Sequence, residues 1–514
     1  MTTNYLIGID IGTSGTKTLL IDETGNPIAS ATEEYPLYTP RPQWSEQDPA
    51  DWWSAVCGTI RTVLIKSGVD PREIKGIGLS GQMHGSVFLD ENNTPIRRAL
   101  LWNDQRTGPE CAWITETVGA KKVIDLISNP VLTGFTAGKI IWLRNHEPDN
   151  WAKVRKVLLP KDYIRLKLTG EFATEVSDAS GTSLFNVKAR TWSYEMLDSI
   201  GIPKEWMPAC YESPEISGRI NEAAAAATGL AAGTPVVGGA GDQAAGAVGN
   251  GIVEPGVVSN TIGTSGVVFA YSEKPFVDEE IRLHTFCHAV PGAWHMMGAV
   301  LSAGGSLQWY RDGFCQPEKV VAGALGVDPY EIICKEADRV SVGSEGLIFL
   351  PYLTGERVPY ADPNARGVLF GLTRRSDRNH TARAVLEGVA YALRDSFEIL
   401  HAMGVPINQV RASGGGAKSS VWRQILADVT GLPHSVINVD QGPALGVALL
   451  AGVGCGIYNS VPEACNAVIR VVDTTEVISA NHNRYNQFYS VYTKLYHHLK
   501  SDYDAIAALM QEKI

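Results

Sequence analysis

Near the start of the chain, YLIGIDI (5–11), TKTLLID (16–22) and IASATEEY (28–35) are short β-prone runs, parted by the turn sequences GTSG and ETGNP. They predict three consecutive strands. The pattern then changes period. Asp48 and Pro49 open a helix whose apolar face is Trp52, Val56, Ile60, Val63 and Leu64, and Gly68 closes it. IKGIGLSGQ (74–82) returns to a strand. The order is strand, strand, strand, helix, strand, so the first GTSG lies at a hairpin tip, unlike the strand-to-helix loops of P-loop and Rossmann folds.

The same order recurs half a chain later. GVVSNTI (256–262) and VVFAYS (267–272) flank a second GTSG, and AWHMMGAVL (293–301) precedes a helical segment around SLQWYRDGF (306–314). The chain reads as a duplication of one unit. A hairpin tip with two glycines and two hydroxyl residues can aim backbone N–H and side-chain O–H groups at one anion. Two such tips suit one shared polyphosphate, and Lys17 adds a cation. A lone copy would be read equally well as a good turn.

Carboxylates stand beside these loops. Asp10 immediately precedes the first GTSG, and Asp242 follows the short strand and glycine-rich turn of TPVVGGAGDQAAGA (234–247). Strand ends in open α/β sheets are where ligands bind, so both carboxylates can face an inter-domain crevice. The alternative for Asp242 is helix N-capping. A third glycine cluster, RASGGGAKSS (411–420), follows the strand INQVRA and opens the helix SVWRQILADVTG. Its glycines permit close approach of a flat ring, such as a base or ribose.

At 514 residues and 44% hydrophobic, the chain can bury a large core in two domains or more. A net charge of −11 without runs of Lys or Arg leaves no footprint for nucleic acid or an anionic membrane. The most apolar late run, GPALGVALLAGVGCGI (442–457), is too short and glycine-rich for a bilayer span, and the N-terminus lacks a basic region before its apolar residues, so the expected location is the cytoplasm. Eight Cys without a C-x-x-C pair suggest neither a zinc knuckle nor a disulfide framework. His284, His288 and His295 lie in LHTFCHAVPGAWHMM, which reads as a hairpin and not as a zinc helix. GGAGDQA contains a dinucleotide-type glycine pattern, but no acidic residue stands about twenty positions on.

Together these motifs resemble the actin-like ATPase superfold and, within it, the FGGY family of carbohydrate kinases. GFTAGKIIWLRNH (134–146) fits the family's first signature. GVLFGLTRRSDRNHTARAVLE (367–387) fits the second, with Thr381 where a large apolar residue is usual. LSGQMHG (79–85) carries Met83 and His84 where polyol-specific members have Arg and Glu, and so looks like the branch that phosphorylates D-xylulose. WSEQDPADWW, LLWNDQRT, LLPKDYIRLKLTGEFATEVSDASGT and LPYLTGERVPYADPNARG support that branch, whereas Gln243 departs from its usual Asn.

The resemblance implies an α/β fold of two ribonuclease H-like domains, residues 1–247 and 256–470, with a helical tail over 471–514. It implies transfer of the γ-phosphate of ATP to the C5 hydroxyl of D-xylulose, or of another pentulose or polyol. Asp242 would be the catalytic base. Asp10, with Asp242, would hold Mg²⁺. Thr13, Ser14, Lys17, Gly263 and Thr264 would contact phosphates, and Gly415, Gly416 and Ala417 would border the adenosine. Met83, His84, Trp102, Asn103, Asp104, Asp242 and Gln243 would contact the sugar. Expected partners are the sugar and ATP, with no nucleic acid or membrane; a homodimer is left open.

Overall fold

The computed structural model describes residues 4–511. The first half is built on a seven-stranded mixed sheet. Its centre is β1 (Tyr5–Ile11), paired antiparallel with β2 (Gly15–Asp22), which pairs antiparallel with β3 (Pro27–Glu34). Helix α1 (Pro49–Ser67) packs on β2 and β3, capped by the Asp48 carboxylate accepting from Ala50 N–H and closed by Gly68 at φ 66°. Strand β4 (Ile74–Gly81) lies parallel to β1 on its other side. Strands β5 (Ile216–Arg219), β6 (Pro235–Val237) and β7 (Ala240–Gly241) complete the sheet, and β7 runs directly into α2 (Asp242–Gly249).

The second half repeats this plan. β8 (Gly256–Ile262) pairs antiparallel with β9 (Gly266–Ser272), which is flanked by β11 (Trp294–Val300), with β10 (His284–Cys287) at the edge. On its other side β8 lies parallel to β12 (Ile407–Ser413), followed by β13 (His434–Ile437) and β14 (Val471–Thr475). The strand senses match those of the first sheet pair by pair. A duplication explains why the two GTSG sequences occupy equivalent tips.

Two helices join the halves. α2 is answered by α3 (Pro443–Gly454), the most apolar late run of the sequence. A helix apolar all round must be buried on all sides, and α3 is: although it belongs to the second half by sequence, it packs on β1 and β4 of the first sheet. Backbone meets backbone there. A Cβ on Gly8 would stand 1.8 Å from the Ala444 carbonyl oxygen, and one on Gly78 would stand 1.9 Å from that of Val447. α2 and α3 cross as closely, for a Cβ on Gly446 would stand 1.9 Å from the Ala245 carbonyl. No described helix is long and apolar enough to cross a membrane.

A second junction is the edge strand β10. Asn129 donates to the Thr285 carbonyl (2.7 Å) and accepts from Thr285 N–H (3.1 Å), and Ser180 Oγ accepts from Cys287 N–H (3.0 Å). The Trp294 indole donates to the Val187 carbonyl at 2.7 Å. The hairpin around the three His residues is thus docked on the first half.

The segment from 471, expected as the start of a helical tail, opens instead with β14, paired antiparallel with β13. Helix α4 (Ser479–Gln511) follows and is not a loose appendage. Tyr485 and Tyr492 are fully buried, with Tyr485 Oη between Arg383 and Glu387. Thr381 lies in the first turn of the helix over 378–402, its hydroxyl bonded to the Asp377 carbonyl at 3.1 Å.

Gly446→Ala should lower stability by about 1–3 kcal/mol through overpacking, read as a lower urea midpoint. Gly313→Ala, at a helical position with nothing within 4 Å, should be neutral or gain up to about 1 kcal/mol. Equal effects would contradict the close helix crossing.

Candidate active site

Each half presents its own hairpin tip, at Gly12–Gly15 and Gly263–Gly266. In the first, Gly12 N–H donates to the Gly15 carbonyl at 3.0 Å, which draws the tip tight. In the second, Gly263 N–H donates to the Ser265 carbonyl at 3.0 Å. That tip is braced from below. Gly304 N–H donates to the Gly263 carbonyl (2.8 Å), and Ala303 N–H and Gly305 N–H both donate to the Thr264 carbonyl (2.9 Å each). A Cβ on Gly304 would stand 2.4 Å from the Gly263 oxygen, a requirement that no motif announced.

Asp10 is the penultimate residue of β1 and Asp242 opens α2 directly after a strand, so each carboxylate stands at a strand end. The helix cap is Gly241, with no side-chain cap bond, so Asp242 is not occupied as an N-cap. Burial pushes the Asp242 carboxyl up to about 7, and the like charge of Asp10 adds to it, partly offset by hydrogen bonds from Gln243. Burial likewise raises Asp10 to about 6, against the opposing influence of Ser80 and Lys17. Asp10 Oδ1 is buried without a hydrogen-bond partner among the described residues. Two such carboxylates, one with an orphaned oxygen, fit a Mg²⁺ ion that keeps most of its coordination for water and phosphate.

Lys17 does not hang free. Its ammonium donates to Gln441 Oε1 at 2.8 Å, tying β2 to the loop before α3. Ser14 is exposed at the first tip. The Thr13 hydroxyl accepts from the indole N–H of Trp102 at 2.9 Å, so Trp102, 44% exposed, lies over the first hairpin.

Met83 and His84 follow β4. Met83 packs against Gly241, where a Cβ would stand 2.8 Å from Met83 Cγ. His84 holds a left-handed backbone at φ 67°, fixed by the ammonium of buried Lys139, which donates to its carbonyl at 2.7 Å, and by Thr136 Oγ1 at 3.0 Å. Its ring stacks on Phe135 at 4.4 Å, and Nδ1 bonds the Gly181 carbonyl at 2.7 Å. Burial, then Lys139, drives its pKa down to about 3. The ring is neutral. Because a carbonyl only accepts, Nδ1 carries the proton and Nε2 is left as an acceptor.

Asn103 keeps an unpartnered buried amide oxygen. Asp104, expected to touch the sugar, is fully buried and held by Arg106 at 2.7 Å and by Ser45 N–H at 2.7 Å. Its carboxylate has work inside the fold, because a buried charge without these partners would be costly.

Gly415 and Gly416 form one wall of a cleft of about 690 Å³, whose other walls include Gly263, Thr264, Leu307 and Tyr330, whereas Ala417 lines a second cleft of about 450 Å³ together with Asp242 and Gln243. A Cβ on Gly416 would stand 2.5 Å from Ile262 Cγ2, which locks this loop against the second hairpin's strand. The larger cleft reaches the second hairpin tip at Gly263 and Thr264. Leu307 and Tyr330 carried no sequence signal, because they come from helices with ordinary amphipathic patterns.

Sequence models of the N-terminal and C-terminal domains of the FGGY family of carbohydrate kinases match residues 5–249 and 258–455. The chain belongs to the FGGY family of carbohydrate kinases. Among FGGY relatives, it is 42% identical to a xylulose kinase of Escherichia coli strain K12 over 89% of this chain and 91% of that protein. It is 33% identical to a gluconokinase of Bacillus subtilis strain 168, covering 98% of each. A crystal structure described as a "xyloylose kinase" from Brucella ovis superposes with a TM-score of 0.88 at 38% identity, covering 97% of this chain and 100% of that one. As a kinase of this family, the enzyme takes ATP and a carbohydrate as substrates.

Proposed function

We propose that this FGGY kinase transfers the γ-phosphoryl group of ATP to the C5 hydroxyl of D-xylulose, with Asp242 as general base. The observation that carries the reading is the position of Asp242: at a strand end, free of capping duty, beside Asp10, and next to Gly241, on which Met83 packs. The names of the xylulose kinase relatives support the choice of sugar.

The sugar oxygen attacks the γ-phosphorus, the bond to the β–γ bridging oxygen breaks, ADP leaves, and the hydroxyl proton passes to an Asp242 oxygen. Ionised Asp242 is a better base than a free carboxylate because burial raises its affinity for the proton. The two tips, through Thr13, Ser14, Gly263 and Thr264, hold the phosphates, with Lys17 nearby as a charge. Asp10 and Asp242 would hold Mg²⁺. When bound, that ion neutralises charge on the transferring phosphates. His84 Nε2 and Asn103 Oδ1 accept from sugar hydroxyls, and Gln243 and Trp102 complete the wall. Gly415, Gly416 and Ala417 receive the adenosine.

In an ADP-release assay, D-xylulose should give the highest kcat/KM among D-xylulose, L-ribulose, L-xylulose, glycerol and gluconate. A higher value for another acceptor would move the sugar assignment to it.

Asp242→Asn should lower kcat by about 10² to 10⁴ while leaving sugar binding in place. The amide keeps the size and hydrogen bonds but not the basicity. A variant that binds D-xylulose and retains more than about a tenth of wild-type kcat would refute the base assignment. Asp10→Asn is the control, with a loss that shrinks as Mg²⁺ is raised.

A further inference from the structure

His284 sits on edge strand β10 of the second half, yet its ring belongs to an aromatic cluster rooted in the first. It lies 5.6 Å from the Phe135 ring and is stacked on Phe286 at 5.7 Å, and Phe135 in turn carries His84. The residue is 6% exposed, and neither ring nitrogen has a hydrogen-bond partner among the described residues. A buried imidazole with both nitrogens unpaired forfeits free energy that a partner would recover. Register is not accidental here, because the paired bonds between Asn129 and Thr285 fix the strand beside it.

Arg357 lies on the loop YLTGERVPYADP. Its backbone N–H donates to Glu356 Oε1 at 2.7 Å, and the same oxygen accepts from Leu301 N–H at 3.0 Å, which pins the loop to the end of β11. The guanidinium itself is half-buried and has no hydrogen-bond or ion-pair partner among the described residues. It lies near enough to His84 and His284 for its charge to oppose protonation of both rings.

On the D-xylulose reading the acceptor site is polar in sense: Asp10 and Asp242, whose mutual repulsion is felt at Asp242, take one end, and the Arg357 fork and a neutral imidazole supply donors at the other. A ketose with its C5 hydroxyl at Asp242 turns its carbonyl end, C2 and C1, toward those donors. A carbonyl oxygen only accepts, and an arginine only donates.

We propose that His284 and Arg357 bind the carbonyl end of the sugar and so form the part of the acceptor site contributed by the second half. This rests on the D-xylulose reading above. It also makes sugar binding bridge the two halves, since His84 comes from one and Arg357 from the other.

The test compares wild type with Arg357→Met and His284→Phe on D-xylulose and on glycerol, a truncated acceptor that keeps three carbons near Asp242 and lacks the carbonyl end. Each variant should lose about 10- to 100-fold in kcat/KM for D-xylulose, the range expected for hydrogen bonds involving a charged group. Glycerol turnover and the ATP Kd by calorimetry should change less than about threefold, the scatter expected of a remote contact. Arg357→Lys, which keeps the charge, should recover part of the D-xylulose loss. An equal loss on both acceptors, a weakened ATP Kd, or an undiminished rate on D-xylulose would overturn the proposal. His284→Phe preserves the stacked ring, so it carries the test if Arg357→Met fails to fold. If wild type itself prefers another pentulose, the D-xylulose reading fails, and the same comparison is made with that ketose.

Discussion

Everything in this molecule hangs on the crossing of α2 and α3, where Gly446 meets the Ala245 carbonyl with no room for a Cβ. α3 belongs to the second half by sequence, yet it lies on the first sheet so closely that Gly8 and Gly78 touch its backbone. Side chains between these elements would separate them by ångströms. The catalytic geometry could not survive that, because both ends of the crossing are parts of the site. Asp242 is the first residue of α2, and Gln441, which holds Lys17, stands just ahead of α3. The pivot of the fold and the floor of the cleft are the same few residues.

From that floor the electrostatics follow. Carboxylates drawn out of water by backbone packing resist ionisation, and two of them facing each other resist it more. That is a poor arrangement for stability and a useful one for taking a proton from an alcohol. The rest of the buried charge is handled conventionally: Asp104 with Arg106, and Lys161 among Asp162, Glu175 and Asp178, are paired where they are enclosed. Asp10, Asn103 and His284 each keep a buried polar atom without a partner among the described residues.

The duplicated plan was legible in the sequence because both hairpins punctuate their strands with the same turn residues, and strand periodicity survives in both halves. Helix α1 was legible through Asp48 and Gly68, whose capping chemistry is local. Asp10, Met83, His84 and Asp242 could be singled out because each ends or follows a strand inside a distinctive motif. What escaped was non-local. That Asp104 is used up by Arg106 and Ser45 depends on a residue 59 positions earlier in the chain. The exchange of α3 onto the first sheet leaves only an all-round apolar helix as its trace. β14 was missed since its five residues, VVDTT, are mostly exposed at a sheet edge and read as the approach to the long tail helix. His284 and Arg357 are 73 positions apart, on a strand and a loop that no local pattern connects.

The central claim is that the two hairpins, one on each half, close on a single ATP about the α2–α3 crossing, with the sugar bridging the cleft. Closure also keeps water from the γ-phosphate. Small-angle X-ray scattering of the protein alone, with D-xylulose, and with D-xylulose plus a non-hydrolysable ATP analogue measures this directly. The account predicts the smallest radius of gyration with both ligands bound. A radius that does not change on saturating both sites would contradict it.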